Sequence, residues 1–139
     1  MAFPREVLVE LFRSRPELAR EVLLRCASFE VAGDTAEAGS ADLTQVASVE
    51  FRADAVSVFK VAGVVSAAVI VEVQRFESAE KRRTWPVYVA ALRARLGCPV
   101  ILLVVAPDEK VADWARRPID LGHPGFSLAP LVMSYRRKS

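Results

Sequence analysis

Two acidic side chains frame the most apolar part of the chain. Asp54 opens, and Glu72 closes, a stretch dominated by Val and Ala, where an unpaired buried carboxylate would be expensive. Residues 51–61 and 67–74 are rich in β-branched and aromatic side chains, which predicts two strands. Gly63 lies between them and can take the positive φ that a tight connection wants. A hairpin centred on Gly63 sets Asp54 opposite Glu72, nine residues to either side. The two Cβ atoms would then stand roughly 5 Å apart on one face, whereas a slip of one residue would send them to opposite faces. Gln74 keeps the parity of Glu72, and Glu50 and Arg52 keep that of Asp54. Two anions held so close repel unless a cation lies between them. Mg²⁺ plays that part with one or two carboxylates and several waters, and such an ion can activate water and offset charge on a phosphodiester. The alternative is that each carboxylate pairs with an arginine, Arg52 or Arg75.

Other elements must hold the pair. Val7, Leu8, Leu11 and Phe12 recur at helical spacing, and Ser14 with Glu17 forms a capping-box pattern around Pro16. One bent helix or two short ones are expected over residues 5–27. Residues 29–44 carry Gly33, Asp34, Gly39, Ser40 and Asp42 and read as a long surface loop, with strand chemistry beginning near Val46. After the hairpin comes a charged segment, residues 75–83. A helix follows with Pro86 in its first turn, Val89, Leu92 and Leu96 as its apolar stripe, and Gly97 as its stop. Six unbroken apolar residues, 100–105, predict a central strand covered on both faces. Asp108 caps a short helix through Arg116, and residues 126–133 supply a last strand. The tail, Arg136, Arg137 and Lys138, reads as frayed. A hairpin followed by helical crossovers makes a mixed sheet with helices packed on it, an α/β fold.

Composition narrows the field. The 139 residues suit a single domain, residues 1–139. A hydrophobic content of 53% excludes a disordered chain. The uncharged apolar stretches at residues 61–71 and 96–107 are too short to span a membrane, which takes roughly 20 residues. Glu6 and Glu10 interrupt the first apolar residues, which argues against a secretory leader. Cys26 and Cys98 share no ligand spacing with each other or with His123, so both read as buried thiols of a cytoplasmic protein. A net charge of +2 does not by itself announce a nucleic-acid partner. Arginine supplies 15 of the 19 cations, which suits bidentate phosphate contacts and equally fits a coding bias. His123 sits in a turn by composition, Cys98 packs beside Pro99, and Trp85 and Tyr88 read as packing residues before base-stacking ones.

Asp54, then 17 residues, then Glu72-Val73-Gln74 after a run of Val and Ile, resembles the PD-(D/E)XK nuclease superfamily. It is most similar to the recombination-promoting nuclease and transposase-like branch, in which E-x-Q replaces E-x-K. The Arg52-Ala53-Asp54 lead-in and the Trp85-Pro86-Val87-Tyr88 segment also resemble a family of small bacterial proteins of unknown role in that branch. The resemblance implies a restriction-endonuclease-like α-β-β-β-α-β core and metal-dependent hydrolysis of phosphodiester bonds in DNA. It implies Asp54 and Glu72 as ligands of Mg²⁺ or Mn²⁺, with the Val73 carbonyl as a third ligand and Glu10 or Glu6 as an extra carboxylate from the first helix. Gln74 would stand in the place of the lysine. A glutamine can only hydrogen-bond where a lysine offsets charge, so Lys81 or Arg82 would have to supply the cation, or the protein would be slow or inactive. Arg75, Arg82 and Arg83 would contact the DNA backbone, and a homodimer is compatible with the fold. A catalytically inactive relative binding DNA or a protein is the alternative.

Overall fold

The computed structural model describes residues 4–43 and 52–135. The expectations placed on Val46, Glu50, Phe51 and the basic tail lie outside the described residues. The chain divides into two compact units, Met1–Ser48 and Val49–Ser139.

In the first unit the apolar periodicity yields two helices, α1 (Arg5–Ser14) and α2 (Glu17–Ala27). The capping box does not form. Ser14 Oγ donates back to the Glu10 carbonyl at 2.8 Å, and α2 starts from Pro16, whose φ of −55° already suits a first turn. Ser28 ends α2 in the left-handed region. Neither helix buries a residue, so Cys26 on α2 is exposed and not the buried thiol expected.

The second unit carries the sheet. β1 (Ala55–Val61) and β2 (Val64–Val73) form the hairpin. α3 (Ala79–Leu96) crosses to β3 (Val100–Ala106), which lies parallel to β2. α4 (Glu109–Arg116) follows, then a two-strand ladder of β4 (Ile119–Asp120) and β5 (Ser127–Leu128), and finally β6 (Leu131–Ser134) parallel to β3. The main sheet has the order β1-β2-β3-β6, so the unit is a mixed α/β fold with helices packed on a mixed sheet. Among the described residues no helix is long and apolar enough to cross a membrane.

The hairpin turns on Ala62 and Gly63, both at positive φ (50° and 80°), with Val61 paired to Val64. Positive φ at both central residues is the two-residue type I′ geometry, so the turn is centred half a residue earlier than expected. An irregularity then skips Ser66: Lys60 pairs with Val65, and Phe59 with Ala67. This bulge restores the nine-and-nine register, and Ala55 pairs with Val71.

α3 begins at Ser78, whose side chain accepts from Lys81 N, and stops at Gly97 with φ 65°. Pro86 therefore lies inside the helix and not in its first turn. The start is fixed by the Ser78 cap, which satisfies an otherwise orphaned N–H. Asp108 caps α4 in the same way, accepting from Val111 N. Trp85 and Trp114, with ring centroids 5.7 Å apart, join α3 to α4 over Ile70, Leu102 and Val104.

β3 is central in the sheet, as expected, but it is not sealed on both faces. Leu102, Val104 and Ala106 are buried, whereas Ile101 on the other face is 40% exposed. Both α3 and α4 contribute to the one core that contains the buried set.

Candidate functional site

Strand pairing brings Asp54 and Glu72 together at the end of the hairpin away from the turn. Asp54 immediately precedes β1, and Glu72 occupies the face of β2 shared with Ala68 and Ile70. Each carboxylate takes an N–H from the other's strand. Asp54 N donates to Glu72 Oε2 at 2.9 Å, and Val73 N donates to Asp54 Oδ2 at 2.8 Å. Strand geometry sends the Val73 carbonyl to the same edge as its N–H.

Glu72 is 1% exposed, and a carboxylate so deep requires partners. Its Oε1 accepts from Lys81 Nζ at 3.1 Å and from the Trp85 indole N–H at 3.2 Å. Lys81 Nζ also donates to the Tyr88 hydroxyl at 3.3 Å and lies 5.4 Å from the centre of that ring. Burial works against the Lys81 charge, but hydrogen bonds to Glu72 and Tyr88 and the nearby Glu72 charge outweigh it. Its pKa lies above the ordinary lysine value. The cluster thus joins Asp54 and Glu72 from the sheet to Lys81, Trp85 and Tyr88 from one face of α3.

Gln74 is half-buried; its side-chain amide donates to the Phe76 carbonyl at 2.6 Å, closing a local turn. Arg82 points elsewhere. Its guanidinium donates to the carbonyls of Trp114 (3.1 Å), Arg117 (2.8 Å) and Pro118 (3.0 Å), where it satisfies the end of α4. Arg75 and Arg83 are exposed. Glu6 and Glu10 lie on α1, in the first unit. His123 lies in an exposed turn, its carbonyl accepting from Phe126 N.

Sequence reasoning placed Trp85 and Tyr88 with packing residues and missed their part in the carboxylate cluster. The signal was present: positions 81, 85 and 88 fall on one helical stripe, and the stripe carries an ammonium, an indole N–H and a hydroxyl.

The donor set suits a hard divalent cation, since two carboxylates and a carbonyl offer only oxygen. The second Asp54 oxygen has no partner among the described residues, and Asp54 is exposed. Among the described residues no group of three or more His, Cys, Asp and Glu could hold a metal ion. Comparison with family models, curated proteins and solved structures finds no match to this chain.

Proposed function

We propose that the second unit is a metal-dependent, endonuclease-like domain that hydrolyses phosphodiester bonds in DNA, a divergent relative of the PD-(D/E)XK nucleases. One observation carries this reading: the Lys81 ammonium from α3 rests on Glu72, beside Asp54. The cation that Gln74 cannot provide is thereby available from the next helix. Asp54 and Glu72, with the Val73 carbonyl, would hold Mg²⁺ or Mn²⁺, which supplies Lewis-acid stabilisation of charge on the phosphate when bound. Lys81 would offset negative charge on the reacting phosphate from the protein side. Trp85 would keep Glu72 oriented through its indole N–H. Exposed Arg75 and Arg83 would take backbone phosphates of the DNA.

A second reading, a catalytically inactive relative that binds DNA or a protein, draws on a different observation. Glu72 already accepts three hydrogen bonds and Asp54 one, so the pair is satisfied without an ion. Calorimetric titration with Mn²⁺ separates the two. The nuclease reading expects heat of binding that disappears in Asp54→Ala; an absence of binding in the wild type leaves the inactive one.

A further inference from the structure

Between β1 and α3, on the face of the sheet that carries Glu72, runs a cavity of about 460 Å³. Apolar Val56, Ile70 and Leu92, aromatic Tyr88, and the arginines Arg52 and Arg95 line it. Its volume falls in the range of small-ligand sites. Among the described residues the lining carries two arginines and no carboxylate.

The cavity adjoins the carboxylate cluster at three points. Val56 and Ile70 are cross-strand partners, each two residues from Asp54 or Glu72 and on the same face. Tyr88 receives a hydrogen bond from Lys81. Arg52 lies two residues before Asp54.

We propose that this groove receives an unstacked base of single-stranded DNA, with Arg95 on a flanking phosphate. The inference rests on the phosphodiester reading of the adjoining cluster for its substrate class. A concave apolar lining with one aromatic ring complements the flat face of a base, which an intact duplex keeps stacked and out of reach. The Arg95 guanidinium at the same cavity matches phosphate geometry, and the described lining residues include no carboxylate to repel an anionic strand. A duplex presents only its phosphates and grooves, for which an apolar recess of this size has no use.

The test is fluorescence anisotropy in EDTA, with fluorescein-labelled oligothymidine and the same strand annealed to oligoadenosine. The proposal expects the single strand to bind about tenfold or more tighter than the duplex. Ala91→Trp, a substitution at an exposed position of α3 that also borders the cavity, should weaken single-strand binding by about tenfold or more. Arg95→Glu, an exposed charge reversal, should weaken it too and flatten its salt dependence. Either variant suffices if the other fails to fold. Duplex binding as tight as single-strand binding, or both folded variants binding like wild type, would overturn the proposal. Because EDTA removes divalent ions, binding lost in the variants supports the groove even if the protein cleaves nothing. Conversely, metal-dependent cleavage with unchanged binding in the variants overturns the groove and leaves the catalytic reading standing.

Discussion

Glu72 tolerates near-complete burial because three donors from two elements converge on it: a backbone N–H just before β1, and an ammonium and an indole on α3. Removing the indole donor by Trp85→Phe should cost on the order of 1–3 kcal/mol, visible as a lowered denaturation midpoint. Lys81 makes a prediction in pH. Its folded-state pKa is raised, so its contribution to stability is complete below the unfolded lysine value, about 10.4, and is lost as pH rises through the folded value. The gap in melting temperature between wild type and Lys81→Met should therefore hold steady through neutral pH and shrink only in strong alkali. In cleavage, Lys81→Met should lose roughly a hundredfold, about 2.7 kcal/mol of barrier. Gln74→Lys should change little, since Lys81 already stands on Glu72 and Gln74 faces its own turn. The meeting of Asp54 with Glu72 was legible from equal spacing about Gly63, because antiparallel pairing turns sequence distance into position. The indole contact was not. Which way a buried tryptophan aims its N–H depends on packing between α3 and β2, which local sequence does not encode.

At the scale of elements the hairpin shows two errors cancelling. The expected centre at Gly63 ignored that a two-residue turn needs both Ala62 and Gly63, and the skipped Ser66 returns the register. A bulge has no reliable sequence signal when its extra residue is an unremarkable serine, so this part could not be read in advance. Ala62 at φ 50° sits where a side chain other than Asn or Asp is disfavoured. Ala62→Asn should stabilise the fold by about 1 kcal/mol and raise the melting temperature by several degrees. The α3 start was misjudged for a comparable reason. Pro86 was weighted as a first-turn residue, but the Ser78 cap and the packing of Trp85 hold a full turn and more ahead of it. The caps at Asp108 and Gly97 were legible because they act locally.

Across the second unit, the sheet is covered unequally. An unbroken apolar run in β3 suggested two sealed faces, yet α3 and α4 share one core and leave Ile101 on the less covered side. Periodicity records what a strand tolerates; coverage depends on where later helices land. Leu102→Ala should cost about 2–5 kcal/mol, and Ile101→Ala clearly less, as measured by chemical denaturation. The carboxylate cluster stands on the covered face, with the buried side of Glu72 set against α3 and exposed Asp54 beside it. That placement pairs a rigid, buried carboxylate with an accessible one, the arrangement on which the proposed hydrolytic reading rests. The most direct test is nicking of supercoiled plasmid DNA by the purified chain with Mg²⁺ or Mn²⁺. Slow conversion to open circles, abolished by EDTA and by Asp54→Ala, is the predicted result. Intact plasmid at every ion concentration, or nicking that survives Asp54→Ala, would contradict it.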